Sequence, residues 1–152
     1  MQRTKKTRAE RRAKADAFRK AVEGMTGSGI VTTFFCAKDD DRAMAELSRP
    51  ENGRHAEMIA KALLMVGPHS ETDCLLCGYT LKKPADLSCI MSFLPGDGSN
   101  RGMAMGACCG CRDKYDSYEK LRSDMFAYVK ENLWPDLRTL NDANFSTQAG
   151  RA

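Results

Sequence analysis

The sequence predicts an α+β fold in which a cross-link joins two distant parts of the chain. The first observation is a pair of C-x2-C motifs, Cys74–Cys77 and Cys108–Cys111. The second is that segments with apolar residues at three- and four-residue steps alternate with β-branched or strictly alternating runs. With 152 residues, 42% apolar and 7% aromatic, the chain is expected to have a modest core. We predict a basic helical arm (1–25), a single domain (26–140) and a flexible tail (141–152).

The N-terminal arm concentrates the positive charge of the protein. Residues 1–20 contain nine Lys or Arg and two acidic residues, a net charge of +7, whereas the remainder carries −3. This segment is rich in Ala, Arg and Lys and lacks Pro, which predicts a helix. Seven of its basic residues are candidates for neutralising nucleic-acid phosphates: Arg3, Lys5, Lys6, Arg8, Arg11, Arg12 and Lys14. A solvated helical arm without a ligand is the alternative interpretation.

A strand and two helices are predicted to follow the arm. The β-branched and aromatic run Ile30–Cys36 is typical of a buried strand. Asp39, Asp40 and Asp41 supply an N-cap and first-turn acids for a short helix that ends near Leu47. A second helix is predicted over 53–66, capped by Asn52, with Met58, Ile59, Ala62, Leu63 and Val66 facing inward.

The second half of the chain predicts a hairpin followed by a long helix. Residues 86–94 alternate, with Leu87, Cys89, Met91 and Phe93 on one face, which predicts a half-buried strand. A cluster of turn residues at 95–100 and a second alternating run at 101–107 complete the hairpin. Residues 112–133 then form one amphipathic helix, and residues 136–140 are expected to add a further turn.

The two cysteine pairs have the spacing of ligands for one metal ion. A C-x2-C turn presents two thiolates, and a second turn completes a tetrahedral Zn²⁺ site with Cys74, Cys77, Cys108 and Cys111. An ion held by four protein ligands has no open position, so the predicted zinc is structural. An iron–sulfur cluster is the competing interpretation. Cys109 is a spare thiol or exchanges with Cys108, His69 is a possible substitute ligand, and Cys36 and Cys89 are assigned to the core.

Residues 74–133 resemble a treble-clef zinc finger, because a C-x2-C turn (a zinc knuckle) is followed by a hairpin and then by a helix. The resemblance is at the level of the fold group and covers about two-fifths of the chain. It implies that the first knuckle and the start of the last helix supply the ligands, and that Zn²⁺ stabilises the module.

Two other functions compete with a non-enzymatic module that binds nucleic acid. His55-Ala56-Glu57 followed by Cys74 and Cys77 matches the pattern of zinc-dependent nucleobase deaminases, with Glu57 as the proton shuttle. However, Asp73 stands where that pattern has Pro, and Cys108 and Cys111 are left without a role. A protein-interaction adaptor is the other alternative, with Met91, Met103 and Met105 as a soft contact surface.

The sequence also bears on where the protein is located. No apolar run reaches the length of a membrane span, and the charged N-terminus lacks the apolar segment of a signal peptide. We therefore expect a cytoplasmic protein. In a reducing compartment seven cysteines favour metal ligation or free thiols over disulfides.

Overall fold

The computed structural model describes residues 7–25, 30–70, 72–95 and 102–142. The helices are α1 (Arg8–Met25), α2 (Asp41–Leu47), α3 (Gly53–Leu64), α4 (Cys109–Arg112) and α5 (Tyr118–Tyr128). One sheet contains β1 (Ile30–Ala37), β2 (Leu87–Pro95), β3 (Met103–Cys108) and β4 (Arg138–Asp142), in the order β3-β2-β1-β4. Short 3-10 turns lie at Pro50–Asn52 and Pro84–Asp86, and a π-helical turn, Val129–Leu133, extends α5. The fold is α+β, as predicted.

The sheet is the middle of three layers. On one face α2 packs against β1, and α3 packs against β2 and β3. On the other face the sheet packs against α5. The Phe35 ring lies 6.4 Å from the ring of Tyr118, and the Cys89 thiol lies 3.6 Å from Met125 Sδ. The arm helix α1 packs against the π-helical turn. The core therefore occupies both faces of the sheet.

Strand β2 is buried along its whole length, so the prediction of a half-buried strand was wrong. The predicted hairpin pairing is present, because β2 pairs antiparallel with β3 and places Met91 opposite Met105. The predicted solvent face is covered by α3, and Ser92 there is fully buried. Both faces of β2 are therefore covered, one by α3 and the other by α5. The predicted turn at 95–100 lies almost wholly outside the described residues.

The predicted long helix over 112–133 is broken. Helix α4 ends at Arg112, and α5 begins only at Tyr118. Ser117 is extended and its hydroxyl accepts a hydrogen bond from Lys120 N (3.3 Å), so it caps a new helix. The intervening segment contains Asp113 and Asp116, and such short polar side chains compete for backbone hydrogen bonds and favour caps over helix interiors.

The end of the chain forms a strand where a helical turn was predicted. Residues 138–142 make β4, which pairs in parallel with β1 and places Ile30 opposite Arg138. Leu137 is 1% exposed and anchors the approach to β4. Long-range pairing has overridden local preference here. Residues 141 and 142, which were predicted to belong to the tail, are part of β4, and residues 143–152 lie outside the described part of the chain.

The helices before the first cysteine pair agree with most of the predictions. Asp40 caps α2, with its carboxylate accepting from Arg42 N (3.1 Å) and Ala43 N (3.3 Å). Asn52 precedes α3, but its amide donates to Glu46 O instead of capping the helix. Leu63 was predicted to face inward and is 37% exposed.

In the described segments, no helix has the length and apolar character needed to cross a bilayer.

Candidate metal centre

The first cysteine pair lies in a tight turn that its own backbone closes. Gly78 N donates to Cys74 O (3.0 Å), and Cys74 N donates to Tyr79 O (2.7 Å). Gly78 has a φ of +76°, a conformation that costs little only for glycine. A bridge between Asp73 and Thr80 holds the two ends of the turn together. The local sequence thus points both thiols of the pair in one direction.

The second pair lies where β3 ends and α4 begins. Cys108 is the last residue of β3, and Cys111 follows one helical turn later. The two pairs are joined by backbone contacts, because Leu75 N donates to Gly106 O (2.8 Å) and Cys108 N donates to Cys74 Sγ (3.3 Å). The sheet therefore fixes the position of the first turn relative to the second pair.

The four sulfur atoms form a compact group. Cys74 Sγ lies 3.7 Å from Cys111 Sγ, and Cys77 Sγ lies 3.7 Å from Cys108 Sγ. All four lie within 4.8 Å of one another. Four sulfurs at about 2.3 Å from a central Zn²⁺ stand about 3.8 Å apart, by tetrahedral geometry. These cysteines can hold one metal ion, and the spacing is consistent with zinc.

Burial and hydrogen bonding shift the pKa values of three of the four thiols. Burial, and then the neighbouring thiolate of Cys74, raise the pKa of Cys111 above its usual range, and burial also raises the pKa of Cys74. Burial opposes ionisation of Cys77 too, but hydrogen bonds from Tyr79 N–H and from the other sulfurs lower its pKa overall. The protein alone thus favours a thiolate at Cys77 and opposes thiolates at Cys74 and Cys111. A bound divalent cation would offset this opposition, because coordination deprotonates thiols.

The remaining cysteines and His69 lie outside the four-sulfur group. Cys109 is exposed and its thiol lies 3.3 Å from Ala85 O, so it is spare, while Cys108 is a member of the group. Cys36 and Cys89 are buried in the core, as predicted. His69 is exposed.

The deaminase ligand set is not assembled, which corrects that interpretation of the sequence. His55 is 3% exposed, and its Nδ1 lies 2.8 Å from the hydroxyl of Ser92 on the α3 side of the sheet. Its ring lies 5.7 Å from that of Phe34. Glu57 is exposed. His55, in the first turn of α3, is therefore a core residue with a buried hydrogen bond to Ser92.

The buried imidazole predicts a pH dependence of stability. Burial, reinforced by the positive charge of Arg54, lowers the pKa of His55 to about 4. Below pH 6.5 the unfolded chain takes up a proton that the folded chain resists, so folding stability falls as pH decreases from about 6.5 to 4, by up to about 3 kcal/mol. His55→Asn keeps an amide near Ser92 without the titration. Denaturant unfolding across this range should show a smaller loss for the variant, and equal losses would contradict the prediction.

The predicted phosphate-binding residues are described only in part. Arg8, Arg11 and Arg12 are exposed on α1. Arg3, Lys5 and Lys6 lie outside the described residues, as does the side chain of Lys14. The position of Arg11 was not predicted. Its guanidinium lies over the first cysteine turn, so close that a Cβ atom added to Gly78 would be 2.7 Å from Arg11 Nε. No pattern in the sequence links these two residues.

The methionine surface of the adaptor hypothesis is only partly exposed. Met91 is 1% exposed and belongs to the core, which corrects its assignment as a contact residue. Met103 and Met105 are half-buried and line a groove beneath α1, together with Arg11 and Tyr128. Met91 is buried because both faces of β2 are covered.

Comparison of the chain with protein-family models, with curated proteins and with solved structures finds no match.

Proposed function

We propose that the protein is a non-enzymatic zinc-binding module whose metal ion is structural. The observation that carries this proposal is the group of four cysteine sulfurs within 4.8 Å of one another, joined from two distant parts of the chain. Four thiolates complete the coordination of Zn²⁺ and leave no position for water or substrate. The ion then acts as a cross-link between the first turn and the end of β3.

Zinc is preferred over an iron–sulfur cluster because of how close the sulfurs lie. In a cluster the thiolates bind several iron atoms, whereas a group this compact suits a single tetrahedral ion. The order of knuckle, hairpin and helical turn supports a treble-clef type of site, with α4 as the helix that supplies Cys111. A cytoplasmic setting belongs to the same proposal, since thiolate ligands persist in a reducing compartment.

The basic arm is proposed to bind nucleic acid. The net charge of +7 in residues 1–20, beside a body of −3, favours an electrostatic contact with a polyanion. Arg8, Arg11 and Arg12 are exposed on one helix, and Arg11 lies against the metal module, so the arm is presented on a fixed support. Such arginine side chains contact the phosphate backbone, so the affinity is expected not to depend on base sequence.

The test is a titration of the metal-loaded protein with single-stranded and duplex oligonucleotides at several salt concentrations. We expect log K to fall linearly with log salt. Changing Arg8, Arg11 and Arg12 to Gln should weaken binding at least about tenfold and reduce the salt slope by about two, since up to three phosphate contacts are lost.

A control with the same change of net charge distinguishes the arm from charge in general. Lys61, Lys114 and Lys130 are exposed on the body, and changing all three to Gln should leave the salt slope nearly unchanged. Binding that does not depend on salt, or equal losses in the two triple variants, would contradict a nucleic-acid-binding arm.

A further inference from the structure

An apolar cavity lies on the side of the sheet opposite α5. It has a volume of about 270 Å³ and is lined by residues of α2, α3 and the strands β1 and β2. Its walls include Cys36, Leu47, Ile59 and Ile90. Burial, and then the negative charge of Asp40, raise the pKa of Cys36 to about 11, so this thiol is neutral and contributes an apolar wall. The interior therefore offers almost no hydrogen-bonding partner to water.

The mouth of the cavity is apolar as well. Met44 and Leu63 line it and are 45% and 37% exposed. Leu64, the last residue of α3, and Met65, which follows it, are 86% and 70% exposed. Three consecutive exposed apolar residues at the end of a helix are uncommon in a surface without a ligand. The exposed run reaches the cavity at Leu63, so apolar surface continues from the cavity to the end of α3.

One unneutralised cation lies at the same mouth. Lys38 lines the cavity and is exposed, and its ammonium donates to Pro84 O (3.1 Å). No carboxylate of the described residues pairs with it. The nearby Asp40 carboxylate is already bound by the N-terminal amides of α2. The ammonium thus has donors left for an anionic group outside the cavity.

We propose that this cavity binds a small carboxylate with an apolar tail, with the tail between α3 and the sheet and the carboxylate on Lys38. A cavity of about 150 Å³ holds one benzene molecule, so 270 Å³ accommodates roughly ten to twelve non-hydrogen atoms. An apolar pocket of this size with one cation at its edge suits a small molecule with one charged end, whereas an amphipathic helix needs an extended groove. This site is independent of the nucleic-acid proposal.

Decanoate, which has twelve non-hydrogen atoms, is a suitable probe for the full-length, metal-loaded protein. Calorimetry well below the concentration of micelle formation should show saturable binding of one molecule per chain. Decanol, which has the same tail without the charge, should bind about fivefold more weakly. Methyl NMR should locate the ligand, because the Met44 methyl resonance is expected to shift on addition of decanoate.

Two variants separate the tail site from the head site. Ala56→Leu places a larger side chain in the cavity and should abolish decanoate binding with the fold intact. Lys38→Gln should make decanoate bind as weakly as decanol, whereas Lys61→Gln, on α3 but outside the cavity, should change nothing. No saturable binding, binding insensitive to Ala56→Leu, or equal affinity of Lys38→Gln and wild type would overturn the proposal. So would self-association of the protein that Leu63→Glu abolishes, because a second copy would then cover the mouth.

Discussion

Replacing Cys108 by Ser is expected to remove the metal ion and destabilise the second half of the protein. Cys108 is 1% exposed, and its sulfur lies 3.7 Å from that of Cys77 in the proposed coordination shell. A serine hydroxyl does not replace a thiolate, so we expect zinc affinity to fall by more than about 100-fold. Because the ion binds only the folded chain, a 100-fold loss at saturating zinc corresponds to about 3 kcal/mol of stability.

Cys109→Ser is the matched control for this variant. It changes the neighbouring residue in the same way, but Cys109 is exposed and lies outside the four-sulfur group. Metal analysis of purified protein should give one zinc per chain for wild type and Cys109→Ser, and much less for Cys108→Ser. Iron with inorganic sulfide in the wild type would contradict the assignment of zinc. Equal metal content in all three proteins would contradict the ligand set.

Sequence spacing was enough to predict which four cysteines come together, but not what holds them together. The C-x2-C pairs and the positive φ needed at Gly78 are local features, and both can be recognised in the sequence. The Leu75–Gly106 hydrogen bond joins residues thirty-one positions apart and has no local signal. The packing of Arg11 over the first turn is equally long-range. The cluster of four cysteines was predictable because a metal site requires a characteristic spacing in the sequence, whereas packing contacts do not.

The errors in the fold have the same origin. The alternating pattern of β2 was interpreted as one buried face, but α3 covers the other, and Ser92 became a fully buried partner of His55. Local composition favoured a turn at residues 136–140, yet pairing with β1 made it β4. The break before Tyr118 could have been found from Asp116 and Ser117, which are helix-capping residues. The periodicity of apolar residues indicates whether a helix or a strand forms. How many faces of a strand are buried depends on the rest of the chain.

The β2–β3 hairpin fixes the position of the four-cysteine group. Gly106 is the hairpin residue at which we expect a larger side chain to disturb that position most. Gly106 lies on β3 opposite Ile90, and its carbonyl accepts from Leu75 N beside the first cysteine. A Cβ at this position would overlap Leu87 Cδ1 and lie 2.9 Å from the carbonyl oxygen of Cys89. The leucine side chain can rotate away, but the backbone oxygen belongs to the central strand and cannot move without shifting β2.

Gly106→Ala is therefore expected to destabilise the protein by about 2–3 kcal/mol, in the range of overpacked cores. The gain in strand propensity from Gly to Ala is smaller, about 1 kcal/mol at most, and does not offset the overlap. Because β3 carries both Gly106 and Cys108, zinc affinity should fall as well, although all four thiols are retained. Denaturant unfolding and competition with a chromophoric zinc chelator measure the two effects.

Gly53→Ala makes the same chemical change where it meets nothing. A Cβ at Gly53 has no atom within 4 Å, and the residue opens α3, where alanine is the better helix former. This variant should be neutral or stabilised by less than about 1 kcal/mol, with unchanged zinc affinity. Equal stability of the two variants would mean that β2 and β3 are not held together as tightly as the packing around Gly106 indicates. Loss of stability in Gly106→Ala without loss of zinc affinity would separate the sheet from the metal site.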